Sequence, residues 1–179
     1  DGEALSKSLM MTVSAATAML AAGRAEVLGR PLREDELESV TNRFVEFGIQ
    51  IPMVELMNAN YASIKAAIDF DHFMVGGGYD VVLTPTLARV PEKLGVLSLS
   101  PDNVDDYGVA VTTFAPWCAY FNQIGAPSMS MPLHWTDENL PIGMMFSARC
   151  GAEELLFSLA AQLEQAQPWA QRRPPIWVG

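Results

Sequence analysis

The feature that most constrains this chain lies between Ser128 and Ala148. Two apolar runs, Ser128 to Leu133 (SMSMPL) and Ile142 to Ala148 (IGMMFSA), flank a polar stretch from His134 to Pro141. That stretch holds Asp137, Glu138, Asn139 and Pro141, residues that favour turns through side-chain hydrogen bonds or a fixed φ. Short apolar runs bounded by turn signals read as buried strands, although periodicity by itself leaves a helix open. Two strands joined by a polar turn cannot bury their apolar faces alone, so the chain has to supply layers that cover them.

The rest of the chain supplies mostly helices. From Ala4 to Leu28 the apolar residues Leu5, Leu9, Val13, Ala16 and Leu20 recur at helical spacing, which predicts one buried face. Gly23 and Gly29 punctuate its end before Pro31. A second helix is expected over Glu34 to Phe47, with three acidic residues in its first turn and a stripe of Leu37, Val40, Phe44 and Phe47. A third is expected from Met53 to Met74, with Met53, Met57, Tyr61, Ile64 and Ile68 facing inward and Gly76 to Gly78 ending it. Asp80 to Pro85 (DVVLTP) reads as a short strand buried on both faces. Residues 86–108 read as an irregular segment that includes Pro101, Asp102, Asp105 and Asp106. A short helix over Thr112 to Asn122 follows, and the last helix covers Ala152 to Gln167. The expected organisation is a single unit, mainly helical over 1–78 and mixed strands and helices over 79–179.

Composition excludes several classes of function. At 179 residues and 50% hydrophobic content, one domain with a sizeable core is expected. A net charge of −10 repels a polyanion, so no nucleic-acid partner is expected. No uninterrupted apolar run reaches the roughly 18 residues of a membrane span, and no membrane role is expected. Two cysteines, Cys118 and Cys150, make neither a disulfide framework nor a zinc site. They fit a reducing, cytoplasmic setting. The first residue is Asp1 rather than Met, so a segment upstream is expected.

Catalytic chemistry is hard to find in the residues themselves. Ser128 and Ser130 lie in a strand without a Gly-x-Ser-x-Gly elbow, and His72 and His134 have no triad pattern around them. Lys7, Lys65 and Lys93 sit in exposed settings that would not lower a lysine pKa. Asp69, Asp71 and His72 point in different directions on a helix, so no metal is expected there. Cys118 stands among Trp117, Tyr120 and Phe121, whereas a reactive thiolate needs an electropositive neighbourhood.

The chain nonetheless resembles the C-terminal part of the amidase-signature hydrolases. The run Asn122-x-x-Gly125-x-Pro127-x-x-Ser130-x-Pro132-Leu133, then Leu140-Pro141-x-Gly143, is similar to that family's closing strands. Tyr79 to Thr86 (YDVVLTPT) resembles its YDVLLTPT-type element, and Leu156 to Pro175 its closing helix and Pro-Trp tail. The resemblance implies an α/β fold, a mixed sheet covered by helices, of which this chain is the C-terminal portion with a helical N-terminal half. It implies amide hydrolysis by a Ser–cis-Ser–Lys triad, with no metal and no cofactor. No Gly-Gly-Ser-Ser-Gly-like run occurs in this sequence, so no catalytic residue is carried over and the triad is expected upstream, leaving the chain inactive alone. Expected partners are a small-molecule amide, the N-terminal part of the same amidase and, as an option, a second copy in a homodimer. Thr86, Phe114, Trp117, Cys118, Phe121, Asn122 and Ile124 flank the strand ends and are the candidate substrate-binding residues. Bulky aromatics among them suit an apolar or cyclic amide. The competing reading is a non-catalytic scaffold or interaction module derived from the same fold.

Overall fold

The computed structural model describes residues 2–100, 103–174 and 176–177. Asp1, Pro101, Asp102 and Pro175, and the side chains of Asp105 and Asp106, lie outside the described residues. The helical half consists of α1 (Gly2–Leu28), a single 3₁₀ turn (Glu34–Glu36), α2 (Ser39–Gly48) and α3 (Met53–Gly77). After it come β1 (Val82–Pro85), α4 (Val104–Phe114), α5 (Pro116–Ile124), β2 (Ser128–Trp135), β3 (Pro141–Ser147) and α6 (Glu153–Ala166). The order is that of a partial α/β fold.

The two central runs form the β2–β3 hairpin. Asn139 turns the corner at φ 63°, a conformation Asn tolerates better than most residues. The Thr136 and Asn139 backbone N–H groups close the turn on Leu140 O and Thr136 O, each at 2.9 Å. β1 then pairs with β3, giving the order β1-β3-β2 with antiparallel pairing throughout these strands. β2 lies at one edge, where Pro132 removes no ladder bond the sheet needs. Its register shifts between Pro132 and His134, a bulge at Leu133.

Helices cover both faces of the sheet. On one face Phe70, Met74, Phe121, Ile124 and Met145 form a core between α3, α5 and the strands. The Phe70 and Phe121 rings meet edge-on at 5.7 Å, the geometry aromatic quadrupoles favour. On the other face Met131, Phe146, Ala148 and Leu156 pack under α6, with Leu159, Leu163 and Trp169 around them. Gly78 ends α3 in the left-handed conformation at φ 65°, and Tyr79 N–H reaches back to Met74 O at 2.9 Å.

Five expectations need correction. The buried face of α1 is Ser8, Met11, Ser14 and Ala18, while Val13 and Leu20 face outward. On α3 the buried residues are Ala59, Phe70 and Met74, and all five residues expected to face inward are exposed. The cause is close helix contact: small side chains let α1, α2 and α3 approach, and bulky ones are left on the opposite face. The single helix expected over 34–47 is broken at Leu37 and Glu38, both extended. The irregular segment contains α4, hidden in sequence by Gly108 and by Val and Thr, all weak helix formers. β1 is buried on one face only, with Leu83 52% exposed. Residues Ala4–Leu28 of α1 are apolar enough on average to cross a membrane, at a mean hydropathy of 1.3, but α2 and α3 pack along this helix.

Candidate functional site

Three of the motif stretches meet where β1 ends. Thr86 follows Pro85, and its backbone N–H donates to Gly143 O at 2.9 Å, carrying the β1–β3 pairing one residue further. Across β3, the hydroxyls of Thr86 and Ser130 lie 2.6 Å apart. Gly143 makes this approach possible, because a Cβ there would stand 2.7 Å from each hydroxyl oxygen. The Cys118 thiol donates to Thr86 O at 3.4 Å, which anchors α5 to the same spot. Ala88 N–H donates to Phe114 O at 2.9 Å, so the end of α4 closes the segment leaving β1. The Arg89 guanidinium sits 5.8 Å from the Phe114 ring centroid and pairs with Glu92 at 2.7 Å.

Beside this point lies an open cavity of about 320 Å³ between β1, α3 and α5. Phe70, Phe73, Val82, Trp117, Tyr120 and Phe121 give it an apolar wall, bordered by Asp69 and Thr84. Trp117 is 44% exposed, whereas Thr84 is only 9% exposed and its hydroxyl has no partner among the described residues. Burial pushes the Tyr120 phenol up from its ordinary value, and the nearby Asp69 charge adds to the shift.

The seven candidate residues therefore separate. Thr86, Phe114 and Cys118 come together at the end of β1. Trp117 and Phe121 line the cavity, with Phe121 also in the core. Ile124 is buried in that core, and Asn122 is exposed beyond it. Ser130 and Gly143, which belong to the family-like runs but not to the seven pocket candidates, join the first group. Their signal was present in the Ser-x-Pro-Leu and Leu-Pro-x-Gly runs, but it takes the β2–β3 register to bring them opposite Thr86. A second polar group also went unread. Gln123 Nε2 donates to Ser8 Oγ at 2.7 Å and Ser63 Oγ at 2.8 Å, and Ser8 donates to Ala59 O at 2.8 Å, tying α5 to α1 and α3.

The arrangement sets hydroxyls at one point and an aromatic wall beside it. Among the described residues no group of three acidic, His or Cys side chains could hold a metal. Both histidines are exposed, and Lys65 pairs with Asp69 on the surface.

Comparison with known proteins identifies the fold. The 6-aminohexanoate-cyclic-dimer hydrolase of Pseudomonas sp. (strain NK87) is 29% identical over 163 residues, covering 84% of this chain and 31% of that protein. A solved structure of 6-aminohexanoate cyclic dimer hydrolase with its substrate superposes with a TM-score of 0.85 at 27% identity, over 96% of this chain and 36% of that one. A bacterial aryl acylamidase of the amidase signature family shares the fold, with a TM-score of 0.72 at 19% identity, over 97% of this chain and 37% of that one. The chain thus spans about a third of the length of these proteins. Residues 3–157 match the family described as Amidase, a range that includes α1 to β3 and every residue at the end of β1. By fold, by the three motif stretches and by this match, the chain belongs to the amidase family.

Proposed function

We propose that this chain is the C-terminal part of an amide hydrolase, supplying sheet strands and one wall of the substrate pocket. In this reading the nucleophile and its base are carried by a portion outside these 179 residues. The observation that supports it most is the convergence of Thr86, Ser130 and Gly143 with Phe114 and Cys118 at one end of the sheet. Ligand sites in α/β folds favour such strand ends, and apolar walls with a few placed polar groups are what pockets use. Trp117 and the cavity beside it would select an apolar or cyclic amide, as the name of the cyclic-dimer hydrolase suggests for that relative. A reducing, cytoplasmic setting belongs to the same proposal, since Cys118 and Cys150 are free thiols and Cys150 is exposed.

The test uses the complete protein. It is incubated with 6-aminohexanoate cyclic dimer and with an aliphatic p-nitroanilide, and separately with a serine-directed fluorophosphonate. Turnover of an amide is expected, with the label on a peptide outside residues 1–179. No turnover and no labelling would overturn the hydrolase reading and leave the interaction-module reading in its place. Trp117→Ala should change the ratio of the two rates, and an unchanged ratio would remove Trp117 from the pocket.

A further inference from the structure

Thr86 and Ser130 are held in a way that ordinary sheet pairing does not require. Their hydroxyl oxygens are 2.6 Å apart, and among the described residues neither has another hydrogen-bond partner. A hydroxyl carries one donor and two acceptor lone pairs. One O–H is used inside the pair, so one donor and several lone pairs remain to face outward. Position is fixed from the backbone: Thr86 N–H is bound to Gly143 O, and Thr86 O receives the Cys118 thiol. Gly143 keeps the floor of the pair clear, since any side chain there would displace both hydroxyls. Thr86 is partly buried and Ser130 is open to solvent, so a ligand can reach the free side.

We propose that the Thr86 and Ser130 hydroxyls act as one hydrogen-bonding unit that holds a carbonyl oxygen of the amide substrate at the end of β1. This rests on the hydrolase reading above. The acceptor is a carbonyl because the donor left over by the pair is a single O–H, and an amide offers its oxygen as the strong acceptor. Inside the pair, each hydroxyl polarises the other, so the outward O–H is a better donor than an isolated one. Both are binding groups rather than acid or base, because among the described residues neither hydroxyl is hydrogen-bonded to a Lys, His or carboxylate that could exchange its proton. The carbonyl held is one that is not attacked, so the contact is the same in the ground and transition states, and its loss raises KM and leaves kcat in place.

The test compares Thr86→Val, Thr86→Ser, Ser130→Ala and the double variant Thr86→Val/Ser130→Ala in the complete protein, using 6-aminohexanoate cyclic dimer or a p-nitroanilide that carries a second amide, whichever the unsubstituted protein hydrolyses. Thr86→Val keeps the shape and strand preference and removes only the hydroxyl. It should raise KM roughly tenfold, with kcat within about twofold, the loss expected for one neutral hydrogen bond. Thr86→Ser should stay near the unsubstituted protein. The double variant should lose no more than about twofold beyond the worse single variant, because removing either hydroxyl already breaks the unit. The rise in KM should be the same across the working pH range. An unchanged KM in Thr86→Val, losses that multiply in the double variant, or equal losses in Thr86→Ser and Thr86→Val would overturn the proposal while hydrolysis itself stands. Should Thr86→Val fail to fold, Ser130→Ala decides, since Ser130 is on the open side of an edge strand. Absence of turnover in the unsubstituted protein would instead defeat the hydrolase reading.

Discussion

Two glycines in helices should respond to the same substitution with opposite signs. Gly48 closes α2 against α1, and a Cβ placed on it would overlap the Ser14 carbonyl and lie 3.0 Å from Ala18 Cβ. Gly23 lies inside α1 with nothing within 4 Å of its would-be Cβ. Neither has positive φ, so Ala is allowed by the backbone at both. In a helix interior, Gly→Ala is favourable by about 1 kcal/mol, and less at a last residue such as 48. At Gly48 that gain meets an overpacking cost of about 1–3 kcal/mol. The obstacle is backbone, so no rotamer change can relieve it, and α1 and α2 have to move apart. That movement uncovers Ala18, although it also lets water reach the Ser14 hydroxyl, which is buried without a partner. The net expectation is a loss of about 1–2 kcal/mol for Gly48→Ala and a gain of up to about 1 kcal/mol for Gly23→Ala. Urea unfolding followed by far-ultraviolet circular dichroism should separate them. With a slope of about 2 kcal/mol/M, the Gly48→Ala midpoint should fall by about 0.5–1 M and the Gly23→Ala midpoint rise by up to about 0.5 M. A Gly48→Ala protein as stable as the unsubstituted one, or more so, would refute the argument that this glycine sets the α1–α2 contact.

Two further outcomes follow from single side chains. The Arg30 guanidinium, hydrogen-bonded to Glu36 at 2.7 and 2.8 Å, and the Arg33 backbone N–H at 2.8 Å hold the Glu36 carboxyl at about 2, against an ordinary value of 4.5. A lowered folded value means that this contact stabilises fully above pH 4.5 and is lost as pH falls from there through about 2; an NMR titration of Glu36 with its midpoint near 4.5 while Arg30 is intact would contradict it. Thr84→Val should raise stability by about 1 kcal/mol, because it replaces a buried, unpartnered hydroxyl by a methyl of the same shape. A fall in the thermal midpoint would mean that the Thr84 hydroxyl has a partner.

The parts legible in the sequence were those fixed by short-range rules. The β2–β3 hairpin follows from two apolar runs around Asn139 and Pro141, and the end of α3 from Gly78, each needing only nearby residues. Thr86 and Cys118 could be named because they flank predicted strand ends, where side chains from different elements gather. Ser130 and Gly143 could not, since their meeting with Thr86 depends on a three-strand register with a bulge beside it. Phe121 and Ile124 had the same apolar character as a pocket wall, and only the inward face of α5 shows that both lie in the core, with Phe121 lining the cavity as well.

The reversal on α1 and α3 has a single physical origin. Hydrophobic periodicity measures which residues gain by leaving water, and on α3 it selects Met53, Met57, Tyr61, Ile64 and Ile68. Helix contact is governed by a second pattern, the spacing of small residues that allow backbones to come within about 8–10 Å. On α1 that pattern is Ser8, Ser14 and Ala18, with the larger Met11 buried among them; on α3 it is Ala59 and Ser63, and Gly48 completes it from α2. The buried hydroxyls it brings along are made tolerable by Gln123, which gives Ser8 and Ser63 a donor each. Where the two patterns fall on different faces of one helix, close packing takes the small face. The large apolar face is then free for a surface beyond the described residues, and a chain in an amidase family a third of whose length it spans has room for such a surface.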